Sequence, residues 1–198
     1  QRDNVLMLGA AADLAEVDFT FNSEVGTLRD DRSVAGSGLL VGIFGHAPDD
    51  LFNTAIDTEN RVFGLYFSDT LSLSDRVHLT VSGRYNDAQI AILDRLGTSL
   101  NGTHTFSRFN PAVGLVVQTG DAVSVFGRYA ESNRAPTAAE LSCADPNEPC
   151  RVPNAFVSDP PLEQAVARSV EGGARGRAGG SNGQRVERSA TVYRTRIA

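Results

Sequence analysis

The sequence predicts an all-β chain. The expected architecture is an antiparallel up-and-down transmembrane β-barrel, represented by an incomplete section of about seven strands. Three observations predict it. Val77–Asn86 alternates strictly, with Val77, Leu79, Val81, Gly83 and Tyr85 on one face and His78, Thr80, Ser82, Arg84 and Asn86 on the other. Side chains along a strand point to opposite faces, so such a segment has one apolar and one wet surface. Segments of this kind recur along the chain. Their connections alternate between tight turns and long polar loops, the rhythm of a barrel with short turns at one rim and long loops at the other.

The elements follow in order. Asn4–Asn22 reads as a long strand ending in the alternating Val17-Asp-Phe-Thr-Phe-Asn22. Ser23–Asn60, rich in Gly, Asp, Ser and Asn, reads as a loop. Arg61–Leu71 is a strand with Phe63, Leu65, Phe67 and Leu71 opposite Gly64, Tyr66, Ser68 and Thr70. Ser72–Asp75 is a tight connection to Val77–Asn86, which extends toward Ile92. Asp94–Phe106 is a polar loop, and Phe109–Gln118 is a strand with Pro111 near its start, where proline is tolerated. Thr119-Gly-Asp121 makes a hairpin turn into Ala122–Ala130. Glu131–Ala167 is the longest break, with starts of a helical turn at Leu141 and at Glu163–Ala167. Arg168–Arg177 resumes the alternation, Gly179–Gly183 turns the chain, and Arg185–Ala198 is the last strand.

Long loops without structure of their own are rare in compact soluble domains. Three of them, at every second connection, have a common cause if a bilayer holds those connections on its outer side. No run of roughly 18 apolar residues is present, so no transmembrane helix is expected. A barrel strand needs only about 9–11 tilted residues and escapes a hydropathy scan. The 198 residues carry a formal net charge of −6, which argues against nucleic-acid binding. Hydrophobic content is 41%, slightly low for a soluble domain. The start, Gln-Arg-Asp-Asn, is neither an initiator methionine nor a signal peptide, and the end stops within a strand-like pattern. The chain is therefore expected to be an internal fragment.

Cys143 and Cys150 enclose Ala-Asp-Pro-Asn-Glu-Pro. So close a pair in a Pro-rich polar loop suggests a small disulfide and an oxidising compartment, with two free thiols as the alternative. Closing that loop would stabilise by roughly 2–3 kcal/mol on the chain-entropy account.

The polar face carries Arg84, Arg128, Glu171, Arg175 and Arg177. In a barrel this face lines the lumen, and Arg84, Arg128 and Arg175 are the lumen-facing candidates; in a sandwich it is simply solvated. Glu171 is placed to pair with Arg128 or Arg175 of neighbouring strands. Tyr85 and Tyr129, near the loop ends of their strands, suit an interfacial aromatic girdle.

At Glu131-Ser-Asn-Arg134-Ala-Pro136-Thr137, followed by Glu140-Leu141, the sequence resembles the "E-S-x-R-A-P…E-L" segment of TonB-dependent outer-membrane receptors. Asp159-Pro-Pro-Leu162-Glu163-Gln164 resembles the "N-P-x-L-x-P-E" return of that family, and Ser169-Val-Glu171-Gly-Gly173 the "x-x-E-x-G" strand after it. Leu71-Ser-Leu-Ser74 and Arg108-Phe-Asn-Pro111 also match the barrel pattern. The resemblance implies a bacterial outer-membrane barrel of about 22 strands plugged by an N-terminal domain. It implies a small-molecule ligand, such as a ferric siderophore, held on extracellular loops. It also implies a TonB energising complex acting through the plug. Residues 1–198 would be part of the barrel alone, without plug, signal peptide or closing strand. For Arg134, Glu140 and Pro136 a structural role is expected over ligand contact.

Other motifs carry little. Gly36-Ser-Gly38-Leu-Leu-Val-Gly42 lacks the spacing and flanks of a dinucleotide fingerprint. His46, His78 and His104 are scattered, so no metal site is expected. Asp145, Asn147 and Glu148 read as a solvated acidic loop before a calcium site. No nucleophile-elbow motif is present, and neither an enzyme nor a cofactor is expected. Two alternatives stand beside the receptor: a passive porin or adhesin barrel, and a soluble secreted carbohydrate-binding β-sandwich with its apolar faces in a dry core.

Overall fold

A computed structural model describes residues 4–21, 24–40, 54–98, 100–142, 162–179 and 185–198. The elements are β1 (Asn4–Phe21), β2 (Glu24–Leu28), β3 (Val34–Leu40), β4 (Thr54–Ser74), β5 (Val77–Asp94), β6 (Gly102–Gln118), β7 (Val123–Arg134), α1 (Ala138–Ser142), β8 (Ala165–Gly179) and β9 (Arg185–Ile197). Seven strands form one antiparallel sheet in the order β1-β4-β5-β6-β7-β8-β9, and β2 pairs with β3 in a separate hairpin. Every neighbour in the large sheet is the next strand along the chain apart from that hairpin, so the topology is a plain meander with β1 and β9 as its edges.

Register fixes which side chains share a face. Leu65 lies opposite Tyr85 and Tyr85 opposite Phe109; Val81 lies opposite Val113, and Val113 opposite Tyr129. These residues form one continuous apolar face, and it is open: Phe109 is 50% exposed and Leu65 49%. Phe67 and Phe109 lie across Gly83, where a Cβ would collide with the Phe109 ring. Glycine here lets two rings close over the backbone. The sandwich alternative requires this face to be packed in a dry core. Instead the large apolar side chains stand in the open.

Several strands exceed their expected bounds. β4 begins at Thr54 and not at Arg61, β6 at Gly102 and not near Phe109, and β7 continues to Arg134. The extensions are polar, as in Asp57-Thr-Glu-Asn60, and give no apolar alternation to read. At about 3.3 Å per residue these strands run well beyond the thickness of a bilayer, so part of each ladder is shaped for water. The expected loop Ser23–Asn60 accordingly holds the β2–β3 hairpin and the start of β4. The β4–β5 turn is Asp75-Arg76, and Thr119 and Gly120 both donate to the Val123 carbonyl in the β6–β7 turn. The helical turn expected at Leu141 forms as α1. That at Glu163–Ala167 does not, because Ala165 opens β8.

Pro111 sits in the middle of β6 and not near its start. The β6–β7 ladder stops beside it, at Ala112 opposite Ala130. Proline has no N–H with which to extend the ladder. The β7–β8 ladder nevertheless runs on to Arg134 opposite Ala165. Beyond Ala130, then, this hairpin is free to leave the wall.

Candidate functional site

The face opposite the apolar one carries the expected polar residues. One cross-strand row reads Thr70, Thr80, Gly114, Arg128, Glu171, Tyr193. Thr70 and Thr80 are hydrogen-bonded at 3.1 Å, and Arg128 reaches Glu171 at 3.8 Å. Of the two partners expected for Glu171 the structure selects Arg128; Arg175 instead donates to Ser124 Oγ at 3.1 Å. Arg84 donates through Nε to Asn86 Oδ1 at 2.6 Å and lies over the Tyr66 ring, 5.8 Å from its centroid. Gly64 gives it room, since a Cβ there would stand 2.7 Å from Arg84 Nη2. Arg84 has no carboxylate partner among the described residues.

Beyond Ala130 the β7–β8 hairpin leans across this polar face. Asn133 belongs by alternation to the apolar side, yet it meets polar-face residues of β5 and β6. Its Oδ1 accepts from Asn86 Nδ2 at 3.0 Å and from Asn110 Nδ2 at 2.7 Å. Its Nδ2 donates to Gln164 Oε1 at 2.8 Å, and Gln164 Nε2 donates to the Ser107 carbonyl at 3.2 Å. Glu131 accepts from Arg108 Nη2 at 2.6 Å and from the Tyr129 hydroxyl, and its side chain is only 13% exposed. Tyr129 thus spends its hydroxyl within the chain, while Tyr85 stays open on the apolar face.

The family-signature residues assemble the end of this hairpin. Arg134 grips Glu140 with two donors, at 2.8 and 3.0 Å. The Thr137 N–H donates to Glu140 Oε2 at 2.7 Å while the Glu140 N–H donates to Thr137 Oγ1 at 3.2 Å, a reciprocal capping box that starts α1. Arg134 first, then the Thr137 N–H, hold the Glu140 carboxyl down to about 2. Pro136 is buried just before this cap. Leu141, the residue after Glu140, is buried against Ile56, Ile90 and Ile92, with Phe19, Phe106 and Leu162 at the margin. Glu163 points to solvent.

This cluster was not expected. Ile56, Ile90 and Ile92 have the same parity as Tyr66, Arg84 and Asn86, so the polar face becomes apolar toward the loop rim. The signal lay in Ala88-Gln-Ile90-Ala-Ile92, which continues the two-residue period with its apolar set on the polar side. Below the leaning hairpin is an open recess of about 360 Å³ lined by Tyr66, Arg84, Asn86, Asn110, Arg128 and Asn133. A larger hollow of about 740 Å³ lies at the turn end, beside Ser124, Arg175 and Arg177. Guanidinium and amide donors suit the recess to an oxygen-rich or anionic solute. Asn110 Oδ1 is buried without a partner there.

Cys143, Cys150, His46, Asp145, Asn147, Glu148 and the segment 159–161 lie outside the described residues. His78 shares a hydrogen bond with Ser72 at 3.1 Å, and no metal-ligating group occurs among the described residues. Gly36 and Gly38 lie in β3.

A meander with an open apolar face, a polar opposite face and rims of unequal loop length is a section of the wall of a transmembrane β-barrel. Residues 5–198 match the model of the family described as TonB dependent receptor-like, beta-barrel, and the chain belongs to that family. Among solved structures it is similar to a chain of the FpvAI–pyocin S2 complex (18% identity, TM-score 0.62, 98% of this chain and 23% of that one). It is also similar to the alcaligin outer-membrane receptor FauA from Bordetella pertussis (17% identity, TM-score 0.53, 99% of this chain and 29% of that one). At these identities the likeness is one of fold. The chain spans about a quarter of the length of those structures. No curated protein sequence matches it.

Proposed function

We propose that the chain is part of the wall of a TonB-dependent transporter that brings a scarce nutrient, a ferric siderophore or a similar chelate, across the bacterial outer membrane. The observation that carries this reading is the two-faced sheet, with apolar side chains offered to lipid and Arg84, Arg128 and Arg175 to a lumen. The family and the receptor FauA, named for alcaligin, support it. The plug, its coupling to the TonB complex and the remaining strands belong on this reading to the rest of the protein. The chain's own contribution is passive and not catalytic. Its outer face holds the bilayer, its inner face supplies donors along the solute path, and Arg134, Pro136 and Glu140 brace a loop instead of touching ligand.

The test is deletion of the complete gene, followed by growth under iron limitation on a panel of ferric siderophores. Loss of growth on one chelate, restored by the gene only in a strain with intact TonB, is the expected result. Undiminished uptake of every chelate, haem and cobalamin in the deletion strain would overturn it.

A further inference from the structure

Toward the short-turn rim the apolar face carries an acid at one end of the sheet and a base at the other. Asp69 on β4 lies opposite Leu6 of β1 and Val81 of β5, and Val81 is the middle of the alternating run Val77–Tyr85. The carboxyl is part-buried, and its Oδ1 is shut off from solvent without a donor. Phe67 and Leu71 are its neighbours along the strand, so nothing beside it on that face supplies a cation. Arg188 on β9 lies opposite Gly176, between Val186 and Ala190 on the same face. It is exposed and has no carboxylate partner among the described residues. Asp69 is five residues from Ser74, and Arg188 is three from Arg185, the last ladder positions at that rim. A long arginine stem covers so small a difference in depth. Within one copy the two groups cannot meet, because five strand spacings, roughly 24 Å, separate them. In hydrocarbon, charged groups and unmet acceptors are costly and are found paired.

The two halves of this face also differ in size. β4, β5 and β6 present Leu65, Phe67, Val81, Tyr85, Phe109 and Val113. β7, β8 and β9 present Gly127, Gly172, Ala174, Gly176 and Ala190. The wall itself does not call for glycine there. A Cβ at Gly127 would meet nothing nearer than the Glu171 carbonyl at 3.9 Å, and one at Gly172 nothing nearer than the Phe126 carbonyl at 3.6 Å. Neither residue has a positive φ. A two-fold axis along the membrane normal, passing between β6 and β7, sets the bulky half of one copy against the small half of a second. It brings Asp69 to the partner's Arg188, and Arg188 to the partner's Asp69. Val113, five residues from the end of β6, faces the partner's Gly127, four residues into its strand. Val81 faces the partner's Gly176 in the same way. Small residues at contacts within a membrane let two backbones approach closely. Lipid tails can fill a hollow beside glycine, but they bring Asp69 no donor.

We infer that two copies of the protein pair side by side in the membrane through this face, tied by reciprocal Asp69–Arg188 contacts. The inference rests on the membrane reading above. The test uses the complete protein, labelled with a donor or an acceptor dye and mixed in lipid vesicles. Energy transfer is followed as the ratio of lipid to protein is raised. Transfer between wild-type copies should exceed that of randomly placed molecules and fall only at high dilution, where the face returns to lipid. Asp69→Asn and Arg188→Gln should each separate with about tenfold less lipid, because either change removes both contacts. A mixture of these two variants should hold better than either alone, since each mixed pair keeps one Asp69–Arg188 contact. Gly127→Leu, for which the wall has room, should reduce transfer to the random level at every dilution. If Asp69→Asn does not fold, Arg188→Gln and Gly127→Leu carry the test, both being changes at exposed positions. Wild-type transfer at the random level, or transfer unchanged by Arg188→Gln and Gly127→Leu, would overturn the pairing. Recovery of wild type in the aqueous fraction without detergent would instead overturn the membrane reading, a separate result.

Discussion

The wall below Ala130 and the leaning end of the β7–β8 hairpin are built on different physics. In the wall, each strand between the two edges is fixed by backbone ladders to both neighbours, and its side chains sort by parity into an apolar and a polar face. In the hairpin end the ladder to β6 is gone, and side chains replace it: the Asn133 amide contacts, the Glu131–Arg108 pair and Leu141 in its cluster. A ladder tolerates most side-chain changes that respect its faces. A latch of a few side chains depends on each of them. The wall should therefore fail when a face is violated, and the latch when a single contact is lost.

The largest effect is expected in the wall. Leu65→Arg places a charge on the open apolar face and should destabilise the folded protein in lipid by roughly 2–4 kcal/mol, measured by urea unfolding in lipid vesicles. Ser82→Arg, on the polar face, should cost far less, and equal costs would erase the distinction between the faces. In the latch, Leu141→Ala should cost about 2 kcal/mol, the low end for a buried leucine because its cluster is small. The loss should appear as faster amide exchange in residues 131–142 with β4 and β5 unchanged. Asn133→Ala leaves the amides of Asn86, Asn110 and Gln164 without their shared partner and should cost about 1–2 kcal/mol. Global unfolding of the wall by this change would show that hairpin end and wall are one cooperative unit.

The smallest effect is electrostatic. The Glu140 carboxyl falls from its ordinary 4.5 to about 2 through Arg134 and the Thr137 N–H. A depressed carboxyl adds stability above its unfolded value and loses it as the pH falls toward the folded one. The cap should be insensitive to pH at neutrality and weaken between about 4.5 and about 2. Its side chain is 44% exposed, so screening by solvent keeps the contribution modest. Carbon-detected titration of the Glu140 carboxyl should give a midpoint near 2, moving toward 4.5 in Arg134→Ala.

What the sequence disclosed follows the same division. Alternation at Val77–Asn86 and Val123–Tyr129 is a local property, and it gave both faces of the wall before any contact was known. Polar extensions such as Asp57–Asn60 have no such signature, because even the buried position among them, Thr58, is polar and spends its hydroxyl on the Val17 carbonyl. Glu131, Arg134 and Glu140 were identified by pattern, but their partners were not. Contacts of Glu131 with Arg108 and of Asn133 with Asn86 join residues far apart in the chain, and they depend on where Pro111 releases the hairpin. Pro111 itself was visible, but its consequence depended on which strand lay beside it.

The central claim is that one face of this sheet meets lipid and the other meets water. Spin labels at single cysteines placed along β5 and β6 of the complete protein in bilayers test it most directly, through accessibility to oxygen and to a water-soluble nickel chelate. The account predicts a two-residue alternation, with Val81, Tyr85, Phe109 and Leu115 reached by oxygen and Thr80, Ser82 and Gly114 by the chelate. The same accessibility at both sets of positions, or the reverse assignment, would contradict it.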